Sequence, residues 1–254
     1  MDDRSVALDR RTSFREILII GGGCYGTFYS TQLATALTRG KIVAESIVLV
    51  DRDPGCQASR HPQEAPFRLE VAEWGSFLDH WLDRRSPNEG EPDDAIVPSP
   101  LMPHLMAEWL ERQGPMLKPP RHVHRVPVER PLRTPYDVAA PDGNRYVSFA
   151  DWLCPTHCIE PHICPVIRGP RTWEMGDAVT DYVKTSNGRL AGPALFTTRH
   201  RAFGVGMFDV AEARAARSAL VAATSRPGSV DLVVATISAC HGAISVLRVE
   251  PDGA

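Results

Sequence analysis

The residues Gly21, Gly22, Gly23, Cys24, Tyr25 and Gly26 carry the spacing G-x-G-x-x-G and follow directly on the apolar run Ile17-Leu18-Ile19-Ile20. Glycine adopts backbone conformations that a Cβ forbids. This spacing therefore suits a tight strand-to-helix turn at Gly21, approach of a diphosphate at Gly23 and close helix packing at Gly26. A helical pattern runs on to Leu37, and its first turn would aim free N–H groups and the positive end of the helix dipole at an anion. A second apolar run, Ile47-Val48-Leu49-Val50, ends in Asp51, twenty-five residues after Gly26. A carboxylate there accepts hydrogen bonds from a ribose diol and repels a 2′-phosphate, which favours NAD, while the adjacent Arg52 keeps NADP as the alternative. Cys24 and Tyr25 belong to the cofactor-binding turn by position, and packing is their ordinary use.

A second concentration of reactive side chains lies in the middle of the chain. Cys154, His157, Cys158, His162 and Cys164 fall within eleven residues and are separated by prolines. Thiolates and imidazoles at such spacing offer ligands for zinc or an iron–sulfur cluster. The spacing Cys-x3-Cys-x5-Cys matches neither paired Cys-x2-Cys ribbons nor the ferredoxin run, so a further ligand such as Cys240 or His241 would be needed. Buried structural thiols are the plain alternative. Just downstream, Arg168 and Arg171 flank a turn beside Trp173 and suit a carboxylate or phosphate of a small-molecule substrate. No catalytic acid or base is assigned.

The elements that must hold these groups alternate in type. After Asp51, residues 67–71 alternate as a strand, and Phe77, Leu78, Trp81 and Leu82 have helical spacing. A polar, proline-flanked surface loop at residues 87–94 precedes the short apolar stretch Ala95-Ile96-Val97, which ends in Ser99-Pro100. A helix over residues 103–113 and a strand over 122–129 follow. The expectation is an α/β fold: a doubly wound, mostly parallel Rossmann-like sheet over residues 14–135, a Pro-rich Cys/His-containing insertion, and a further α/β segment within residues 136–254. In that last segment Asp177 and Asp209 are helix N-cap candidates, with Glu212 three residues beyond Asp209 completing a box-like pair, and residues 232–237 read as a strand. Residues 1–13 read as a polar lead-in.

Composition narrows the function classes. With 28 basic and 31 acidic residues the net charge is −3, which gives no electrostatic basis for nucleic-acid binding. No stretch reaches about 18 uninterrupted apolar residues, and the N-terminus lacks an apolar signal region, so a cytoplasmic chain without membrane contact is expected. In that compartment six cysteines read as thiols, ligands or redox groups rather than disulfides. A homo-oligomer is compatible with all of this.

The order of glycine turn, acid-ended strand, Ser99-Pro100 with His104 four residues on, and Glu129-Arg130-Pro131 resembles the NAD-binding half of the glucose-fructose oxidoreductase and inositol dehydrogenase family. That resemblance implies a nicotinamide site bordered by Ser99 and Pro100. Arg130 stands where the family has a lysine near the transferred hydride, and an arginine gives up no proton near neutral pH. The expectation is an NAD(P)-binding oxidoreductase. Two alternatives remain: an ATP-dependent adenylyltransferase similar to sulfur-carrier-activating enzymes, for which Asp51 and Asp53 provide an Asp-x-Asp, and a non-catalytic nucleotide or redox sensor.

Overall fold

The computed structural model describes residues 13–61, 66–84, 94–150 and 158–251. The lead-in at residues 1–12, most of the expected surface loop at 87–94, and Cys154 and His157 lie outside the described residues. The chain divides into two compact units, Met1–Met102 with Arg199–Ala211, and Pro103–Thr198 with Glu212–Ala254.

The first unit begins with β1 (Ser13–Ile20), α1 (Cys24–Thr38), β2 (Val43–Asp51), β3 (Phe67–Val71), α2 (Trp74–Asp83) and β4 (Ala95–Val97). It is completed by a later return of the chain, β11 (Arg199–Ala202) and β12 (Val205–Asp209). The sheet runs β11-β12-β4-β1-β2-β3. Strands β4, β1, β2 and β3 are mutually parallel, whereas β12 pairs antiparallel with β4 and β11 antiparallel with β12. Ile17, Leu18, Ile19, Ile47, Val48 and Val50 are all buried, as expected of central parallel strands covered on both faces. Ile17, Ile19, Ile47 and Leu49 pack with Tyr29, Leu33 and Ala36 of α1. Side chains alternate along a strand, so Glu16 belongs to the opposite face, where its carboxylate accepts from Trp81 Nε1 of α2 at 2.5 Å and from Arg68 at 2.9 Å.

The short β4 is held in register by a buried carboxylate. Asp94 is fully buried, accepts from the Glu16 amide at 2.9 Å, and is gripped by the Arg15 guanidinium through both Nε and Nη2.

The second unit contains α3 (Leu105–Glu111), β5 (Val123–Val126), β6 (Tyr136–Ala139), β7 (Arg145–Ser148), the two-residue pair β8 (Ile163–Cys164) and β9 (Gly169–Pro170), α4 (Met175–Lys184), β10 (Leu190–Thr197), and, after α5 (Val210–Thr224), β13 (Val230–Ile237) and β14 (His241–Val249). Its main sheet runs β10-β13-β14-β7-β6, and β5 pairs with the second half of β14. Only β10 and β13 are parallel. The segment 122–129, expected to extend a parallel sheet, instead lies antiparallel against β14. Its four paired residues are too few to reveal a partner in their own periodicity. The fold is thus mixed α/β, with one largely parallel and one largely antiparallel sheet.

Met175, Val179 and Tyr182 of α4 pack on Val233, Ala235, Ile244 and Val246. Helix α4 starts at Met175 behind Glu174, with Asp177 inside its first turn rather than at the cap. Asp209 pairs through both oxygens with Arg201, and Glu212 accepts from the Thr197 amide at 2.6 Å.

Two outcomes follow. Asp94→Ala leaves Arg15 and the Glu16 amide without this acceptor and is expected to destabilise the protein by about 3 kcal/mol in urea unfolding. Burial, with Tyr25 and Cys24 nearby, pushes the Tyr29 phenol from 10.0 up to about 12. Its protonated form is favoured by folding, so that stabilisation is complete below pH 10 and is lost as pH rises towards 12. Ultraviolet titration should show a tyrosine phase near pH 12, and that phase should vanish in Tyr29→Phe.

Candidate functional site

The end of β1 turns into α1 over Gly21, Gly22 and Gly23. Gly21 has φ +86° and donates to Val50 O at 2.9 Å, so the turn starts in a conformation that L side chains rarely adopt. A Cβ on Gly26 would collide with the Gly21 carbonyl oxygen. The third glycine of the motif therefore admits the backbone of the turn itself, rather than a neighbouring strand.

Gly22, between the first two glycines of the motif, is covered. A Cβ on Gly22 would strike Cys56 Sγ, and the Gly22 carbonyl accepts from Ala58 N at 2.8 Å. Gly23 is different, being exposed with open space where its Cβ would be. It caps α1 without a side-chain acceptor, and among the described residues nothing accepts from the amides of Gly23, Cys24 or Tyr25. Cys24 is an exposed free thiol, and Tyr25 stacks on Tyr29 at 6.4 Å.

Asp51 ends β2 beside this turn and is buried. One carboxylate oxygen accepts from the Gly22 amide at 2.6 Å and the other from Asp53 N at 2.9 Å. Each oxygen retains a second lone-pair direction, so Asp51 braces the turn and still has acceptor capacity. Asp53 is used in its own loop, accepting from Gly55 N at 2.8 Å.

Ser99 and Pro100 follow β4, with Ser99 buried and its Oγ accepting from Leu101 N at 3.3 Å. Ser99 and Trp74 are the groups nearest the position of a Cβ on Gly21. Trp74, at the start of α2, has its ring under the exposed Arg52 guanidinium at 5.9 Å. Its Nε1 is buried without a hydrogen-bond partner among the described residues. The ends of β1, β2, β3 and β4 thus contribute Gly21, Asp51, Trp74 and Ser99 to one edge of the sheet. Sequence reasoning missed Trp74 and Cys56. The one hint for Trp74 was its place directly after a predicted strand, and nothing in the residue pattern pointed to Cys56.

The remaining expected groups belong to the second unit. His104 lies 3.6 Å from Glu108. Arg130 packs over the Tyr182 ring at 4.0 Å and donates to Tyr182 O and to Thr185 Oγ1, while Tyr182 Oη donates back to Arg130 O. Its guanidinium therefore ties off the last turn of α4, where free carbonyls need donors.

Cys158, His162 and Cys164 do not converge on a common point among the described residues, where a different group supplies three candidate ligand atoms. Cys158 Sγ accepts from Glu160 N at 3.4 Å, Cys164 is buried in β8, and His162 is exposed. The element is fastened by Glu160, whose carboxylate accepts from Ala239 N at 3.2 Å and Cys240 N at 3.0 Å. Cys240 is buried and accepts from Trp173 Nε1 at 3.4 Å. Arg171, expected as an anion clamp, donates to Glu174 at 2.5 Å.

Residues 106–250 match a family described as the C-terminal domain of an uncharacterized protein, AF_1314_C. The match covers more than half of the chain, and the chain belongs to that family. The glycine turn and Asp51 lie outside the matched segment. Comparison with curated proteins and with solved structures gave no match. Among the described residues no helix is long and apolar enough to cross a membrane.

Gly26→Ala places a Cβ on the Gly21 carbonyl and should destabilise the turn by several kcal/mol. Gly23→Ala, with open space at its Cβ, should cost under about 1 kcal/mol. Urea unfolding of the two variants measures the contrast, and equal costs would contradict the packing described for Gly26.

Proposed function

We propose that the first unit binds a dinucleotide, NAD(H) in preference to NADP(H), and that the chain is an NAD(P)-binding oxidoreductase-like protein. The observation that carries this reading is the convergence, at the C-terminal ends of parallel strands, of an uncovered Gly23 turn and a carboxylate braced against the same turn. β1 has β2 on one side and β4 on the other, so successive connections leave it in opposite directions. Such a reversal of strand order opens a crevice beyond the strand ends, and open α/β sheets bind ligands there. This supports a Rossmann-like reading of the first unit.

In that crevice the diphosphate would rest on the amides of Gly23, Cys24 and Tyr25 at the positive end of α1. The ribose diol would donate to Asp51, which is already oriented by Gly22 and Asp53. Ser99 and Pro100 would border the crevice from β4, and Arg52 with Trp74 from the side of β2 and β3. A nicotinamide would supply hydride transfer when bound; the residues described above hold and orient it.

Thermal-shift measurements with NADH, NADPH, and ATP with magnesium test the proposal. NADH at a hundredfold excess over its Kd should stabilise the binding unit by about 2.7 kcal/mol. Asp51→Ala should weaken binding by roughly 1.5–3 kcal/mol, about ten- to a hundredfold in Kd. Stabilisation by ATP alone would overturn the dinucleotide reading and favour an adenylyltransferase. Binding of NADH without turnover of any offered substrate would favour a sensor.

A further inference from the structure

Strands β5 and β14 pair Val126 with Val246, His124 with Arg248 and Val123 with Val249. The ladder extends one residue further, since Glu250 N donates to His122 O at 3.0 Å. Because side chains alternate across a sheet, His122, His124 and Val126 share one face with Val246, Arg248 and Glu250. On that face His122 Nδ1 lies 2.8 Å from Glu250 Oε2, and the His122 and His124 rings stack at 4.8 Å with planes 29° apart. One ligand atom from each of the three residues lies within 4.8 Å of the others. His124 Nδ1 is buried and has no hydrogen-bond partner among the described residues. Buried polar atoms of this kind normally meet a water or an ion.

We propose that His122, His124 and Glu250 form a binding site for a single divalent transition-metal ion of the zinc class. Two imidazoles and one carboxylate are borderline donors that suit zinc, cobalt, nickel or copper, whereas magnesium and calcium take oxygen ligands. Three protein ligands leave at least one coordination position for water or a small ligand. Arg248, paired with His124 across the ladder, is held by both oxygens of Asp231 at 2.8 and 2.9 Å, which offsets its charge beside the ion. The His122 side chain is 70% exposed, so turning its ring towards a shared ion displaces only its contacts with Glu250 and His124. One step along the same face, about 7 Å by strand geometry, Val126, Val246 and Arg248 line a cavity of about 350 Å³ shared with Arg130 and Tyr182. The lining carries Arg130, Arg189 and Arg248 together with Glu129 and Asp231, so a small polar ligand there would have the open position of the metal within reach. The site lies in the second unit and does not depend on the nucleotide reading.

Cobalt(II) binding to the metal-stripped full chain tests the proposal, because its spectrum separates nitrogen and oxygen ligands from thiolates. The expected result is one equivalent of cobalt with weak visible bands and without an intense near-ultraviolet thiolate band. His122→Ala and Glu250→Gln should each weaken that equivalent at least about tenfold. Both should melt like the parent chain in the absence of metal, since His122 is largely exposed and Glu250 lies beyond the last strand. Loss of the thiolate-free equivalent in both variants supports the proposal whether or not a separate thiolate-bound equivalent fills the cysteine element. Unchanged affinity and stoichiometry in both variants, or only thiolate-bound cobalt in the parent, overturns the proposal.

Discussion

The first unit depends on how closely the backbone passes itself between β1 and α1. The Gly21 carbonyl occupies the space that a side chain at position 26 would take. That one approach sets where α1 begins and leaves Gly23 uncovered at its tip. Asp51 fixes the other side of the turn, so the end of β2 and the start of α1 are held by a hydrogen bond rather than by apolar contact alone. The carboxylate is buried, and its hydrogen bonds to two amides offset the cost of taking a charge out of water. A structural role for Asp51 and a ligand role are compatible here. A group already oriented by the fold loses little freedom when a ligand arrives.

Buried acids recur as the devices that align the strands around this turn. Glu16 links β1 to Trp81 of α2 and Arg68 of β3, and Asp94 links β4 to Arg15 and the Glu16 amide. A three-residue strand such as β4 has little ladder of its own to define register. The fully buried Asp94 supplies that definition, because a slip by one residue would leave its charge unpaired in the interior. Ser99 and Pro100, which follow β4, inherit their place beside Gly21 from the same anchor.

The glycine turn, its helix and the acid-ended second strand were legible because the whole unit is local: strand, turn and helix follow one another within thirty-nine residues, and each leaves its own periodicity. The antiparallel character of the second sheet was not legible. Its central strand β14 takes partners from residues 123–126, 145–148 and 230–237, and the pairing of such short segments is decided by tertiary contacts. The return of residues 199–209 to the first sheet was hidden for the same reason. Dense cysteines and prolines drew attention to residues 154–164. His122, His124 and Glu250 left no local pattern, because the carboxylate stands 126 residues beyond the nearest strand-paired histidine, His124, and only the β5–β14 register joins them.

The position held by Arg130 has a structural role of its own. A lysine there would be a flexible point charge able to titrate when desolvated. An arginine presents a planar fork, which in this chain lies flat on Tyr182 and donates to the end of α4. The return bond from Tyr182 Oη to the Arg130 carbonyl closes the contact in both directions. That geometry explains the residue type without any proton transfer. It also places Glu129-Arg130 in the wall of the cavity lined by Val126, Val246 and Arg248, so the segment's chemistry is to be sought in the second unit's own face. The family match over residues 106–250 covers this face in full, including both histidines and Glu250.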